Sequence, residues 1–450
     1  MKTPTIINKR MTTFQIIIYG FLGVIAAGTL LLLLPFATQS GHSVSVLEAL
    51  FTATSATCVT GLVVLDTATT WSVFGKIVIL ILIQIGGMGV VTIAVAAALV
   101  SGRKIGLMQR STLAEAIAAP NVGGIVRLTG FIIRTTLVIE LSGAILMAPV
   151  FCKEFGFVKG VCYAVFHSVS AFCNAGFDLM GEREAFSSMT SYTGNWLINI
   201  TLILLIIIGG IGFLTWEDIK SHKFDFKKYR MQTKVVLTVS AILVIVPAIY
   251  FYFCELGDAH WKELDNGERF LGSLFQSVTM RTAGFNTLDL SAFSEAGQLI
   301  MILLMLIGGS PGSTAGGMKT TTVAVMLASA LAVFRRREDA NFFGRRIGSD
   351  AVKYASTIFV MYLVLFITGA LVISSVENIP MLTCLFECAS AIGTVGLSLG
   401  ITPNLGTVSR LIIIVLMFFG RVGGLTIVFA ALSGAKKNTS RLPEEKITVG

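Results

Sequence analysis

The sequence Gly393-Thr394-Val395-Gly396-Leu397 has counterparts at three earlier points in the chain. These counterparts are Cys58-Val59-Thr60-Gly61-Leu62, Cys173-Asn174-Ala175-Gly176-Phe177 and Arg281-Thr282-Ala283-Gly284-Phe285. The glycine of each copy follows small or polar residues, and the four glycines are spaced almost evenly along the chain. Self-similarity of this kind predicts one structural unit that is repeated four times.

Each copy ends a short apolar segment, and a longer apolar run follows it. The short segments, 46–57, 158–173, 269–281 and 381–393, cannot cross about 30 Å of hydrocarbon. The longer runs carry the motifs Ile85-Gly86-Gly87, Ile208-Gly209-Gly210, Ile307-Gly308-Gly309 and Phe419-Gly420-Arg421. Runs long enough to cross are 14–36, 73–100, 128–151, 195–216, 235–253, 298–334, 354–376 and 408–433. The pattern predicts eight spanning helices and four re-entrant pore helices around a pseudo-fourfold pore.

The composition excludes a soluble protein. Of the 450 residues, 54% are hydrophobic and only 13% are charged, which is too few to cover a large soluble surface. The 45 glycines suit close packing of helices in a membrane. The seven cysteines show no C-x-x-C spacing, so neither a disulfide framework nor a metal site is expected. The fold class is an all-α polytopic membrane protein.

Basic residues predict the orientation of the spans. The chain carries 34 Lys and Arg against 25 Asp and Glu. Most of the basic residues lie in the N-terminal arm, in 101–127, 217–234 and 335–353, and in the tail from 434, whereas the opposite loops are acidic. By the positive-inside rule these segments and both termini are cytoplasmic.

The repeats also predict a division of the chain into parts. Residues 1–100 hold the N-terminal arm and first repeat, 101–216 the second, 217–334 the third with a broken helix, and 335–433 the fourth. Residues 434–450 form a cytoplasmic tail.

Four re-entrant helices that stop near mid-membrane would direct their partly negative C-terminal ends at one axis. The loops that follow them cannot leave carbonyl groups exposed to lipid, so they must be buried or line a watery cavity. Rings of such carbonyls can replace the hydration shell of a cation. A glycine at the same place in every loop permits the backbone angles and close approach that this requires.

These motifs resemble those of the Trk/Ktr/HKT superfamily of potassium transporters. Thr394-Val395-Gly396-Leu397 is similar to the start of a potassium-channel filter, and Asn174–Phe177 and Arg281–Asn286 are typical of the superfamily. The likeness covers about residues 14–450. The lack of additional N-terminal spans and the tail at 441–450 resemble the bacterial Ktr membrane subunit of the KtrB or KtrD type.

The resemblance implies potassium-selective uptake across the bacterial cytoplasmic membrane, in osmotic adaptation, through a carbonyl filter. The implied filter residues are Val59, Thr60, Gly61, Asn174, Ala175, Gly176, Thr282, Ala283, Gly284, Thr394, Val395 and Gly396. For a lone glycine in a span, such as Gly86 or Gly209, helix packing is the simpler explanation.

Residues 308–319 are so rich in glycine, with Pro311 among them, that no continuous helix is expected there. The resemblance implies an intramembrane gate below the filter, and a passive kink is the alternative. The gate residues are Gly309, Ser310, Pro311, Gly312, Ser313, Thr314, Ala315, Gly316, Lys319 and Arg421. Arg421 replaces a motif glycine, and its charge would constrict the path for cations; a salt bridge to a neighbouring acid is the alternative.

Three charged residues need partners in the membrane. Arg281 borders a filter loop, and we predict a structural salt bridge with Glu387 as the first candidate. Arg134 and Glu140 lie in the third span, where pairing within the protein or snorkelling is the simpler explanation.

A sodium-coupled secondary transporter is the alternative function, although Glu140 is the one acid found inside a span. An enzyme is not expected, because the four histidines are scattered and no catalytic motif occurs. No cofactor is expected; potassium is the substrate and sodium a candidate activator. The resemblance implies a homodimer on a cytosolic ring of nucleotide-binding regulatory subunits (KtrA or KtrC type), with no nucleic acid. Anionic membrane lipid could also explain the basic face.

Overall fold

The computed structural model describes residues 11–39, 43–101, 105–118, 123–223, 225–257, 261–262, 264–431 and 445. Apart from Glu445, the tail 434–450 lies outside these residues, as does the start of the N-terminal arm. The described chain is almost wholly helical, and its strands form one two-stranded hairpin.

The helices follow the fourfold repeat. The first two repeats contain α1 (Thr13–Leu32), α2 (Val46–Thr57), α3 (Thr67–Thr70), α4 (Val73–Met88), α5 (Val90–Val100), α6 (Leu107–Ala116), α7 (Ile125–Phe155), α8 (Phe157–Phe172), α9 (Trp196–Gly210) and α10 (Phe213–His222). The last two contain α11 (Met231–Tyr250), α12 (Asn266–Thr279), α13 (Glu295–Leu306), α14 (Thr320–Phe334), β1 (Asn341–Phe342), β2 (Arg345–Arg346), α15 (Ser349–Glu377), α16 (Met381–Gly393), α17 (Thr407–Val422) and α18 (Gly424–Ala431).

The short helices α2, α8, α12 and α16 occupy the four predicted re-entrant segments. Local sequence explains where they begin. Ser45 and Glu48 form a capping box at α2, and Asp265 and Glu268 form another at α12. The helix α8 begins two residues after α7 ends, because Gly156 reverses the chain with a φ of +80°. The predicted arrangement of four helix, pore-helix, helix repeats is confirmed.

The first spanning helix of each repeat is continuous. The helices α1, α7, α11 with its π-helical extension Phe251–Glu255, and α15 are each long and apolar enough to cross a membrane. Their outward side chains are apolar and exposed, as for Leu30, Leu141 and Val360, whereas the glycine segments that follow the pore helices are buried. Apolar groups outside and polar backbone inside are the pattern of a multi-pass membrane protein.

The second spanning helix of each repeat is interrupted, and not only in the third repeat as the sequence suggested. The axes of α4 and α5 differ by 97°, and those of α9 and α10 by 95°. The breaks fall at Gly89 (φ +86°) and Gly212 (φ +94°), and Gly423 (φ +87°) separates α17 from α18. In these three repeats a glycine with positive φ stands at the break, because other residues adopt this angle at a cost. In the third repeat α13 is followed by Ile307, which has a φ of −95°.

Candidate functional site

The four glycine loops meet at one place between the repeats. In each loop the residue two positions before the glycine has a positive φ: Val59 (+50°), Asn174 (+57°), Thr282 (+63°) and Thr394 (+50°). The glycine itself also has a positive φ, whereas the residue between them does not. This conformation is unfavourable for β-branched residues. The surrounding packing therefore holds the four loops in one unusual backbone shape.

The glycines lie against one another's loops in chain order. A Cβ atom added to Gly61 would lie 2.5 Å from the carbonyl oxygen of Ala175, and one on Gly176 would lie 2.9 Å from that of Ala283. A Cβ on Gly284 would overlap the Val395 carbonyl oxygen, and one on Gly396 would overlap that of Thr60. The four carbonyls thus form a closed ring, called the carbonyl ring below.

Hydroxyl groups of the pore helices hold the loops from behind. Ser55 Oγ accepts a hydrogen bond from the Gly61 amide (3.1 Å), and Ser390 Oγ accepts one from the Gly396 amide (3.0 Å). In the second repeat Ser170 Oγ donates to the Phe177 carbonyl (2.7 Å). In the third, Thr279 Oγ1 donates to the carbonyl of Phe285. These bonds tie each loop to the pore helix before it and use none of the four carbonyl oxygens of the ring.

The glycine motifs of the second helices serve close packing. Added Cβ atoms on Gly86, Gly209 and Gly420 would overlap the carbonyls of Thr57, Phe172 and Ile392. These carbonyls lie at the C-terminal ends of three pore helices. In the third repeat Gly308 packs instead against the Gly316 carbonyl of its own chain segment. The packing role expected for Gly86 and Gly209 agrees with this geometry.

Residues 307–319 form an extended loop between α13 and α14, called the crossing loop below. It is tied to two other repeats: the Ser310 amide donates to the Gly210 carbonyl (2.9 Å), and the Gly317 amide to that of Gly420 (3.0 Å). Its own ends are joined by the Gly308 amide and the Met318 carbonyl (2.8 Å). The crossing loop therefore bridges the second and fourth repeats instead of forming a simple kink.

The crossing loop also touches the filter loops. Thr314 Oγ1 donates to the Phe172 carbonyl (3.0 Å) and to Asn174 Oδ1 (3.2 Å). Asn174 Nδ2 in turn donates to the carbonyl of Arg281 in the third filter loop (3.2 Å). A Cβ on Gly316 would overlap the side chain of Thr394. The structure thus places the crossing loop directly against the filter loops.

Two half-buried cations accompany the crossing loop. Arg421 donates to the carbonyls of Thr314 in the loop and of Gly86 and Gly87 in α4. Lys319 Nζ donates to the Ala315 carbonyl (2.8 Å). Throughout the described residues neither cation has a salt bridge. Arg421 is therefore held by carbonyl groups and not by the acid that was the alternative.

The remaining gate residues have packing or hydrogen-bonding roles. Ser310 Oγ lies 3.1 Å from Thr320 Oγ1, and the Phe213 amide donates to the Gly312 carbonyl (2.7 Å). A Cβ on Gly212 would lie 2.6 Å from the Pro311 carbonyl. A Cβ on Gly309 would overlap Ala315 and lie 3.0 Å from Ser313 Oγ. All the predicted gate residues therefore belong to one cluster.

The predicted salt bridge between Arg281 and Glu387 is wrong. Arg281 is buried and donates to Ser240 Oγ in α11 (3.0 Å). Glu387 accepts hydrogen bonds from Ser398 and from Thr402 (3.0 Å). Each charged group finds its hydroxyl partners within its own repeat. Among the described residues, Arg281 Nε and Glu387 Oε2 have no hydrogen-bond partner.

A polar cluster behind the second filter loop was not foreseen. Gln84 Nε2 donates to Glu140 Oε2 (3.3 Å), and Cys173 Sγ lies 3.6 Å from Gln84 Oε1. Cys173 precedes Asn174, the first predicted filter residue of that repeat. Gln84 is the one polar side chain between Lys76 and Gly86. This single amide in an apolar run was the sequence signal from which a polar cluster could have been predicted.

Three comparisons with known proteins agree with this architecture. The TrkH family, described as a cation transport protein, matches residues 2–439. The potassium/sodium uptake protein NtpJ of Enterococcus hirae is 41% identical, over 99% of this chain and 98% of that protein. The Ktr system potassium uptake protein B of Bacillus subtilis is 37% identical, over 98% of this chain and 97% of that protein.

A solved structure has the same fold. The crystal structure of the potassium transporter TrkH from Vibrio parahaemolyticus superposes with a TM-score of 0.72, covering 94% of this chain and 85% of that chain at 20% identity. The family consists of transport proteins and not of enzymes, as the sequence predicted. With a family match over nearly its whole length and a carbonyl ring built from four repeated loops, this chain belongs to the TrkH family of cation transport proteins.

Proposed function

We propose that this chain takes up potassium through the carbonyl ring, with the twelve filter residues as its selective site. The observation that carries the proposal is the closed order of the ring, in which each glycine lies against the carbonyl of the next repeat. Four inward carbonyls at one level can replace the water around a dehydrated cation. The relatives named for potassium uptake support this choice of ion.

The crossing loop, with Lys319 and Arg421, is the proposed gate. The loop lies against the glycine loops, and carbonyl groups, not acids, hold the two half-buried positive charges, Lys319 in the loop and Arg421 in α17. A fixed positive charge on the ion path raises the barrier to a passing cation. Opening then requires the bonds from Arg421 to α4 and to the loop to break.

The proposed location is the bacterial cytoplasmic membrane, with the basic loops and both termini in the cytoplasm. The parts 1–100, 101–216, 217–334, 335–433 and 434–450 are the proposed units. Two copies would form a homodimer on a cytosolic nucleotide-binding ring. Potassium would be the substrate, sodium is a candidate activator, and no cofactor is proposed. The relative named as part of a Ktr system supports a multi-component assembly.

A sodium-coupled transporter is the second candidate, and the name of the potassium/sodium uptake protein NtpJ favours it. Under this mechanism sodium would be co-transported or act as an activator. Flux into proteoliposomes under imposed potassium gradients, with and without sodium on the other side, separates the two. Potassium flux that is independent of sodium contradicts coupling.

The filter is tested by Gly61→Ser. A Cβ at this position meets the Ala175 carbonyl at 2.5 Å, so the ring must widen or lose a carbonyl. We expect selectivity for potassium over sodium, measured as flux in proteoliposomes, to fall at least tenfold, about 1.4 kcal/mol.

Gly23→Ser is the matched control, because a Cβ there has no neighbour within 4 Å. It should keep wild-type selectivity. Unchanged selectivity in Gly61→Ser, at equal reconstitution, contradicts the assignment of the filter.

A further inference from the structure

A large groove opens beside the first turns of α7, and no residue of the carbonyl ring lines it. Its volume is about 1130 Å³, and α10 forms its other wall. Four of its lining residues are basic, namely Arg127, Arg134, Lys220 and Arg230, and one is acidic, namely Glu217. The cation transport function described above uses none of them.

Most of the positive charge in this groove is not neutralised by the protein. Glu217, the one acidic lining residue, forms an ion pair with Arg230 at 3.7 Å and so neutralises one of the four positive charges. Lys220 Nζ lies 4.5 Å from the centre of the Phe131 ring, a contact that leaves its charge uncompensated. Arg127 and Arg134 are exposed, and within the described part of the chain neither has a salt bridge.

The cations extend from the membrane surface into the membrane. Arg127, Phe131, Arg134 and Val138 recur at helical spacing, so they share one face of α7. At 1.5 Å per residue, Arg134 lies about 10 Å further along the helix than Arg127. A charge at that depth is costly unless it has a partner. A cytosolic protein would have to enter the membrane to supply that partner.

An apolar track continues the groove toward the membrane centre. The side chains of Val138, Leu141 and Ile145 are 64%, 61% and 61% exposed and follow one another along the same helix. Between the arginines, Gly130 leaves space, because a Cβ added to it would meet no atom within 4 Å. The groove therefore has basic side chains at one end, open space beside Gly130 and exposed apolar side chains at the other end.

We propose that this groove binds one anionic phospholipid of the leaflet on the side of the basic loops. Its phosphate would lie between Arg127, Arg134 and Lys220, and one acyl chain would follow Val138, Leu141 and Ile145. A free phosphate ion matches the cations but not the apolar track, so the lipid is the occupant that fits both ends. Basic pockets between membrane helices are suited to anionic headgroups.

Lipid binding to the purified full chain, measured by native mass spectrometry, tests this proposal. The probes are phosphatidylglycerol and phosphatidylcholine with identical acyl chains. We expect the wild type to retain phosphatidylglycerol preferentially. The double variant Arg127→Gln/Arg134→Gln should lower that preference about thirtyfold, because each cation contributes about fivefold near a membrane surface.

Two further variants separate charge from shape. Gly130→Leu keeps every charge and replaces glycine with a better helix former. Its side chain would fill the open space beside position 130, so the variant should also displace the lipid. Arg345→Gln/Arg346→Gln removes the same charge from the exposed hairpin, and it should bind like the wild type. If the double arginine variant fails to fold, Gly130→Leu still decides the question.

Three results would overturn the proposal. The first is equal retention of phosphatidylglycerol by the wild type and Gly130→Leu. The second is an equal loss in the hairpin control, which would mean that overall charge and not the groove attracts the lipid. The third is displacement of the lipid by excess inorganic phosphate, which would assign the cations to a soluble anion.

Discussion

Glu140 is the residue whose role the sequence left most open. Its carboxyl group is buried, accepts a hydrogen bond from Gln84 and lies 3.9 Å from Cys173 Sγ. No lysine or arginine forms an ion pair with it among the described residues. Its position behind the second filter loop suggests support of the loop through hydrogen bonds, not through charge.

We therefore expect Glu140→Gln to keep potassium flux and selectivity close to wild type, because the amide retains the shape and can still accept a bond. Glu140→Ala should lower stability by about 2–4 kcal/mol, since it leaves a cavity and an unsatisfied amide. Thermal unfolding in detergent and proteoliposome flux are the measurements. A large loss of flux in Glu140→Gln would mean that the negative charge itself is required.

Asp178 lies just beyond the second filter loop, outside the spanning helices. Burial raises the pKa of its carboxyl to about 7 from an ordinary 3.8, and the nearby Asp66 carboxylate acts in the same direction. The folded protein therefore holds this proton more tightly than the unfolded chain. Ionisation of Asp178 therefore lowers the free energy of unfolding. This loss is absent at low pH, where the carboxyl is protonated, and complete above about pH 7.

Asp178→Asn removes this cost while keeping the oxygen that accepts from the Met180 amide (2.9 Å). The variant should unfold at a higher temperature than wild type at about pH 8, and the difference should vanish near pH 4. Thermal scans at both pH values check this. If the unfolding temperatures of variant and wild type differ equally at both pH values, the effect comes from packing and not from ionisation.

At the scale of elements, the crossing loop is held by contacts from several helices, and those that α17 supplies depend on two residues. Arg421 reaches from α17 to both the loop and α4, and the Gly420 carbonyl accepts from the Gly317 amide. Removing one side chain therefore loosens the loop without altering the carbonyl ring.

Arg421→Ala, or shortening residues 310–316, should raise potassium flux about tenfold or more, because each lowers the proposed steric and electrostatic barrier by at least about 1.4 kcal/mol. Selectivity should stay unchanged. Proteoliposome flux at equal expression is the measurement, with Arg410→Ala as a control on the same helix. If both changes conduct like wild type, the gate lies elsewhere.

The sequence predicted the pore helices and the crossing loop well, for a physical reason. An apolar segment too short to cross the membrane and followed by a glycine cluster can hardly be anything but a re-entrant helix. A run that contains Pro311 and many glycines cannot stay helical. The bends at Gly89, Gly212 and Gly423 were missed, because nothing in an apolar run distinguishes a left-handed glycine from a packing one. The salt bridge predicted for Arg281 was wrong because charge alone does not indicate which hydroxyl groups the fold places near the guanidinium.

At the scale of the whole molecule, the proposed regulation by a cytosolic partner would act through the basic face. Arg335, Arg336 and Arg337 follow α14 directly, and all three are exposed. Since α14 continues from the crossing loop, a partner bound at this cluster could pull on the proposed gate.

We expect that removing 434–450 and changing the three arginines to glutamine will uncouple flux from the nucleotide bound by a cytosolic ring partner. The loss of positive charge and of the tail removes the proposed docking site. Flux of the reconstituted complex with and without nucleotide is the measurement, and Lys153→Gln, on the acidic face, is the control. Full nucleotide regulation of the membrane chain alone contradicts the idea.

The closed order of the carbonyl ring has a consequence for biosynthesis. The ring is complete only when Gly396, near the end of the chain, meets the Thr60 carbonyl of the first repeat. A nascent chain with three repeats inserted would have an open side and an incomplete ring. The same last repeat supplies Arg421, which bonds to the crossing loop. The proposed filter and the proposed barrier would therefore be completed together, and a half-made chain would offer ions no selective route through the membrane.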